Sequence, residues 1–260
     1  MSTARWIGLA ACGVVAAGAS ALAFAPASFF DLALREATVG RARLADTSGT
    51  IWRGSATLVL ADVAEPGEAE RVVMRGMALP ARVSWTLRPL PLVIGLVDAT
   101  LSIDPARPPV RISGNPTELR VGAGSLDLPS AELSRLGSPW NTIRPSAALS
   151  MRWNALVIRQ GVLDGRASIE LRDTASAMTP VRPLGTYRID VTGTGRNVSL
   201  SLVTLSGPLQ LQGSGSWERR KGVRFTATAQ ADGPERARLL SLLALIGRRE
   251  GDRTVIRIGG

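Results

Sequence analysis

The chain has 260 residues, of which 45% are hydrophobic and 20% charged, and its formal net charge is +10 at pH 7. It has no histidine, the commonest general base and metal ligand, and its single cysteine excludes an intrachain disulfide. The positive charge is almost all arginine, scattered singly, whereas nucleic-acid-binding proteins usually cluster basic residues on one face. Composition therefore argues against nucleic acid and favours anionic headgroups or an acidic protein as partner.

An uncharged apolar run extends from Trp6 to Ala25, with Arg5 immediately before it and Pro26 immediately after it. A helix of this length spans about 30 Å, which matches the hydrocarbon thickness of a bilayer. We therefore predict a transmembrane anchor over residues 6–25 and a cytoplasmic stub over residues 1–5, with the N-terminus inside.

A cleaved signal peptide is the alternative to a retained anchor. Ala21-Leu22-Ala23 and Ala23-Phe24-Ala25 both resemble a small-x-small cleavage site. Either interpretation sends the remainder of the chain out of the cytoplasm. Cys12 lies inside the apolar run and is interpreted as a small packing residue.

Beyond the run, residues 26–46 are predicted to form a short helical stalk, whose helix ends near Gly40, because helix-favouring Ala, Leu, Arg and Glu prevail there. From residue 47 to 260, strand-like alternation recurs about every 10 to 20 residues, between turns of Gly, Pro, Asn and Ser. No long 3.6-residue period separates these strands, which favours antiparallel pairing. The predicted fold is therefore mainly β, either one curved sheet or a sandwich, in a periplasmic domain over residues 47–260.

One late segment, from Pro234 to Ile246, departs from this pattern and is predicted to be a helix that covers an end of the sheet. Its apolar stripe consists of Leu239, Leu240, Leu242, Leu243 and Ile246.

Catalysis without histidine would need paired carboxylates or a Ser–Lys pair. Asp164 with Glu170, and Asp173 with Asp190, are the candidate carboxylate pairs, but they lie in turn-like or solvent-facing positions. Lys221, the only lysine, follows two arginines in a predicted turn. Since no spacing brings two such groups into one pocket, the chain is predicted not to be an enzyme and to hold no cofactor or metal.

Short motifs with glycine or tryptophan punctuate the predicted strands, and each tryptophan is interpreted as packing on the sheet and each glycine as serving a turn, bulge or close backbone approach. Gly213 and Gly215 precede no predicted helix, so they do not form a phosphate-binding loop. The motif residues are Gly49, Trp52, Gly54, Trp85, Trp153, Leu184, Gly185, Tyr187, Gly207, Gly213, Gly215 and Trp217.

In their order and spacing, these motifs resemble the type II secretion system protein N family, from about residue 29 to 231. The resemblance implies a single-pass protein of the cell inner membrane with a periplasmic C-terminal domain. It implies contact with other secretion components, the inner-membrane platform or the secretin, during export of folded proteins. It implies no catalytic residue, so the expected role is assembly or interaction through sheet edges and exposed strand faces.

A second expectation comes from fold-level analogy with β-rich AsmA-like envelope proteins, whose curved sheets present apolar grooves. The alternative function is therefore binding or handling of lipid on a curved sheet. The motifs name no particular secretion component or cargo.

Overall fold

The chain is organised around one antiparallel sheet of 16 strands in the computed structural model, which describes residues 23–38, 42–61, 76–132, 143–160, 162–195, 197–218, 222–231 and 233–259. The predicted mainly β, antiparallel fold is confirmed. Of the two arrangements left open by the sequence, the strands adopt one open sheet.

Among the described residues, three helices accompany the sheet: α1 (Ser28–Ala37), α2 (Pro89–Val93) and α3 (Arg236–Ile246), the last preceded by a 3-10 turn over Gly233–Glu235. The strands are β1 (Ala42–Gly49), β2 (Arg53–Ala61), β3 (Gly76–Leu87), β4 (Val97–Ser102), β5 (Val110–Asn115), β6 (Glu118–Val121), β7 (Gly124–Glu132), β8 (Pro145–Trp153), β9 (Leu156–Arg159), β10 (Val162–Ser176), β11 (Gly185–Thr194), β12 (Asn197–Ser206), β13 (Leu209–Glu218), β14 (Gly222–Ala231), β15 (Arg248–Glu250) and β16 (Arg253–Ile258).

Neighbouring strands follow chain order from β1 to β6 and again from β10 to β14, so most connections are hairpins. Strand β10 joins the two halves of the sheet. It pairs with β9 through residues 162–164, with β8 through residues 167–176, and with β11 along its other edge. The long central strand therefore makes one sheet of what would otherwise be two.

The strands next to β10 bend at a common level. Only Gly122 and Ala123 separate β6 from β7, and only Asn154 and Ala155 separate β8 from β9, so each pair runs as one bent strand. At the bend the indole N–H of Trp153 donates to the Gly122 carbonyl oxygen at 3.0 Å. A glycine and a large ring thus meet where the chain changes direction.

Two apolar clusters close the sheet, one under each of the longer helices. Under α1, Trp85 packs on Ala27 and Ala56, and its ring meets that of Phe30 edge-on, with centroids 5.2 Å apart and planes at 83°. Under α3 lies the larger cluster of buried residues, Val181, Leu184, Leu209, Ala229, Ala231, Leu239, Leu242 and Leu243. The predicted covering helix near the C-terminus is confirmed.

The helix expected in the stalk is present, but residues 42–46, which were counted with the stalk, belong to the sheet. Helix α1 ends at Ala37, and Ala42–Gly49 forms the first strand of the sheet. The reason is tertiary: Leu44 pairs with Leu58 of β2, and the Leu44 N–H donates to Asp31 Oδ1 of α1 at 2.7 Å. Strand pairing therefore prevails over the helix-favouring composition.

Most of the predicted anchor, residues 6–22, and the whole predicted stub, residues 1–5, lie outside the described residues. Lys221 also lies outside them. None of the described helices has the length and apolarity that crossing a bilayer requires.

Candidate functional site

The first group of motif residues supports the turn between β1 and β2. Gly49 has a φ of +89°, which favours glycine. A Cβ on Gly54 would lie 2.6 Å from Cζ2 of Trp85, so the missing side chain makes room for the ring. The Trp85 indole N–H donates to the Ile51 carbonyl oxygen at 3.2 Å, beside Trp52 in the turn.

The second group lies at the opposite end of the strands. The Tyr187 hydroxyl donates to the Leu209 carbonyl oxygen at 3.0 Å, and the Leu209 N–H donates to the Leu184 carbonyl oxygen at 3.0 Å. Gly207 has a φ of +116° and lies directly against the Cα of Gly185. Burial raises the pKa of the Tyr187 phenol, so it stays a neutral hydrogen-bond donor.

The remaining motif residues lie along the strands. Gly213 and Gly215 face the ring of Phe225 on β14, and a Cβ on either would lie within 3.0 Å of that ring. Trp217 pairs with Val223 at the end of the same two strands. Trp153 covers Gly124, where an added Cβ would collide with its ring.

The motif residues thus form separate packing groups, and none of the twelve lines either of two shallow pockets found on the described part of the sheet. Whether they also contact a partner stays a prediction.

Register reveals a feature that no single strand shows. Eight residues of one face meet side by side across eight strands, from β7 to β16, and all are apolar; we call them the apolar row. Its members are Leu126, Met151, Ile169, Ile189, Leu202, Gly213, Ala227 and Ile256.

The apolar row is incompletely covered. Ala227 is buried, but Met151, Ile169, Ile189 and Leu202 near its middle are only half-buried. The two longer helices make their main contacts with the outer strands of the sheet: α1 contacts β1, and α3 contacts β14 to β16. Because a sheet with one apolar face is stable when that face packs on another element, the middle of the row is a surface suited to a partner or a lipid chain.

The neighbouring register positions point to the other face and are mostly polar: Asp127, Ser150, Glu170, Arg188, Val203, Gln212, Thr228 and Val255. On this face a shallow pocket of about 260 Å³ contains Arg152, Arg188, Glu170 and Asp190 as its charged residues. The two faces therefore differ sharply in chemistry over the same strands.

Asp127 is the best-connected carboxylate of the polar face. It accepts hydrogen bonds from the Ser150 hydroxyl and from Arg107, which reaches over from the loop between β4 and β5. The Ser150 hydrogen bond, and then the Arg107 charge, hold the pKa of Asp127 below its usual range. Asp127 is therefore a paired carboxylate, without the raised pKa of a general acid.

The predicted carboxylate pairs are not brought together in a site. Asp164 accepts from the Gly195 N–H at 2.7 Å and lies six residues from Glu170 along β10. Asp173 occupies a β10 bulge with a φ of +50°, beyond the register position of Asp190. Among the described residues, no three of His, Cys, Asp and Glu are close enough together to hold a metal ion.

The terminal strands β1 and β15 of the sheet are both protected, whereas β7, among the described strands, pairs only with β8. Along β1, the Leu44 N–H is taken by Asp31, and the Gly49 carbonyl oxygen accepts from the Ala27 N–H at 3.1 Å. At the other edge, β15 is three residues long and all three, Arg248, Arg249 and Glu250, are exposed. A covered strand and a short charged strand of this kind discourage strand addition at β1 and β15.

A second apolar surface was missed by sequence reasoning. The sequence of residues 92–103 predicts a broken pair of strands, and residues 97–102 do form β4. Residues 92–96 instead belong to α2 and the turn after it, which project from the sheet between β3 and β4, and we call residues 89–96 the apolar tip. The signal was present in the sequence PLPLVIGL, where proline begins a helix and glycine ends it.

A model of the family described as type II secretion system (T2SS), protein N, matches residues 40–257, which span the sheet from β1 to β16. No curated protein and no solved structure gives a significant match to the chain.

Proposed function

Because the chain belongs to the type II secretion system protein N family, it is a component of that machine, and we propose that it serves there as a non-catalytic assembly element. In this proposal, residues 6–25 hold the protein in the inner membrane with its N-terminus in the cytoplasm. The sheet then lies in the periplasm, where it contacts other secretion components.

The half-buried middle of the apolar row carries the proposal. Ile169, Ile189 and Leu202 pair side by side on three adjacent strands, so an elongated apolar segment of a partner would bury all of them together. Because these side chains are already half-buried, only their remaining exposed area contributes, at about 25 cal/mol per Å² of apolar surface, so the contact has to extend along several members of the row. The paired carboxylates and arginines of the opposite face support a solvated surface rather than a catalytic one.

The test is a pair of substitutions that place the same charge on opposite faces. Ile189→Glu puts a carboxylate in the apolar row, whereas Val203→Glu puts one on the polar face, next to Arg188 on the neighbouring strand. In the native host, Ile189→Glu is expected to reduce release of folded substrates into the medium several-fold, with substrate accumulating in the periplasm. Val203→Glu is expected to secrete normally.

Both variants must first reach normal abundance and keep the parental melting temperature, measured on purified full-length protein. If Ile189→Glu passes these controls and still secretes at the parental level, the apolar row is not the contact surface.

Lipid handling is the second candidate, and the same apolar row favours it, since acyl chains also suit an uncovered apolar strip. Phospholipid recovered in stoichiometric amount with the purified parent, and lost from Ile189→Glu, would support this function. Normal secretion together with altered membrane lipid composition in a deletion strain would decide for lipid handling against assembly.

A further inference from the structure

The apolar tip is a folded element with a defined shape. Pro89 occupies the first turn of α2, where its missing N–H costs nothing. At the other end, the Leu96 N–H donates to the Pro91 carbonyl oxygen at 2.9 Å and the Gly95 N–H to that of Leu92 at 3.0 Å, with Gly95 at a φ of +75°. This is a Schellman termination, so the tip presents its side chains in a fixed arrangement.

Those side chains are apolar and unusually exposed. Leu90 is 82% exposed, Val93 83% and Ile94 74%, and none of the residues of α2 is buried. Single exposed aliphatic residues are common, but a contiguous set on one ordered helical turn marks a surface that is covered in use.

The tip lies beside the point where the apolar run ends. The Ala25 carbonyl oxygen accepts from the Ile51 N–H at 2.9 Å, and the next residue, Trp52, accepts at its carbonyl oxygen from the Leu87 N–H at 2.7 Å. Leu87 leads directly into α2. Two lateral hydrogen bonds therefore connect the last residue of the run to the base of the tip, and Phe24, 78% exposed, lies next to that residue.

Charges surround the base of the tip. Arg53 and Arg88 are exposed there, and Arg111 shares the carboxylate of Asp98 with Arg88, through contacts of 3.1 and 2.8 Å. Arginines around an apolar projection suit a lipid surface, where the aliphatic residues enter the acyl region and the guanidinium groups meet phosphate.

We propose that the apolar tip inserts into the bilayer that holds residues 6–25, reaching the boundary between headgroups and acyl chains. The inference rests on the anchored arrangement proposed above, because the apolar run is what brings a membrane to this end of the sheet. Insertion gives the sheet a second attachment point and fixes its orientation relative to the membrane.

The test uses the full chain in proteoliposomes of phosphatidylethanolamine and phosphatidylglycerol. In a Cys12→Ala background, Val93→Cys carries an environment-sensitive fluorophore at the tip. The matched control is Leu240→Cys, on the outer side of α3 at the far end of the sheet, where the native side chain is 46% exposed. Lipids brominated along the acyl chain serve as the quencher.

The fluorophore at residue 93 is expected to emit at shorter wavelength than that at residue 240 and to be quenched several-fold more strongly. Equal quenching at the two positions would overturn the inference. So would a shielded fluorophore at residue 93 that brominated lipid does not quench, since protein would then cover the tip.

Carbonate extraction of the same proteoliposomes separates this inference from the anchor. Protein that resists extraction but shows no quenching at residue 93 contradicts insertion of the tip alone. Protein that is extracted contradicts the anchor and, with it, the membrane attachment in the proposed function. A Leu90→Ser, Val93→Ser double variant is expected to keep the parental melting temperature. Its sheet should no longer have a fixed orientation relative to the membrane, although the protein should still resist carbonate extraction.

Discussion

Helices α2 and α3 are both short, both rich in leucine and both followed closely by a glycine, yet they have opposite environments. Leu239, Leu242 and Leu243 of α3 are buried, whereas α2 buries none of its residues. The difference lies in the sheet beneath them. Under α3, Ala229 and Ala231 leave room for leucine side chains. Helix α2 projects from a hairpin and has its main described contacts with β4 alone. Leucine content therefore does not decide burial; a complementary surface does.

The largest effect is expected within α3. Leu239 is fully buried, and Leu239→Asp would place a carboxylate without a partner in the cluster under the helix. This is expected to lower the free energy of unfolding by at least about 3 kcal/mol, as measured by urea denaturation. Leu240→Asp, on the exposed side of the same helix, should change it by less than about 0.5 kcal/mol. Equal effects of the two would mean that α3 is not docked on the sheet.

A smaller effect is expected near the base of the apolar tip. Gly54→Ala would bring a methyl group to 2.6 Å from Cζ2 of Trp85 and 2.8 Å from the Ser48 carbonyl oxygen. We expect a loss of roughly 1–3 kcal/mol from overpacking, seen as a lower urea midpoint. Gly122→Ala, whose nearest neighbour would be the Arg111 carbonyl oxygen at 3.3 Å, should lose less. The reverse order would show that the backbone around Gly54 yields more easily than that at the bend near Gly122.

The smallest effect concerns pH at the tip. The hydrogen bond from Arg111, and then the charges of Arg111 and Arg88, hold the pKa of Asp98 below its usual range. A lowered folded-state pKa gives stability that is complete above the ordinary value of about 3.9 and is lost as the pH falls through the lowered value. The melting temperature of the parent should therefore exceed that of Asp98→Asn slightly at pH 6, and the difference should shrink as the pH falls below the ordinary pKa of about 3.9. A difference that grows on acidification would contradict this ion pairing.

Strands were readily predicted where alternation was clean, as in β10, β12 and β13. The apolar row was not, because alternation assigns a residue to a face but not to a neighbour. Ile189 and Leu202 become adjacent only through the register of β11 with β12, which depends on the hairpin between them. Sequence alternation therefore predicts the strands of such a sheet, but the register between neighbouring strands is needed to predict which side chains form its surfaces.

The elements that were missed failed for local reasons. Strand β1 contains helix-favouring residues, and only its pairing with β2 and its contact with Asp31 reveal it as a strand. Residues 92–96 of the apolar tip were interpreted as strand because they are aliphatic, although Pro89 and Gly95 mark a helix start and stop. The motif residues were easy to find in the sequence, but the sequence alone does not give the contacts of each one. Trp85 and Tyr187, for example, are held by packing and by hydrogen bonds to backbone carbonyl oxygens.

The protection of the terminal strands β1 and β15 limits where further chains can add to the sheet. An unprotected β-sheet is a template on which further chains can add without limit, as in fibrils. Here α1 occupies one margin through Asp31 and Ala27, and the arginines of β15 repel an identical margin at the other. Strand addition is thereby discouraged at these two margins, and β7, which among the described strands pairs only with β8, is the margin of the sheet that is left for a strand of another chain.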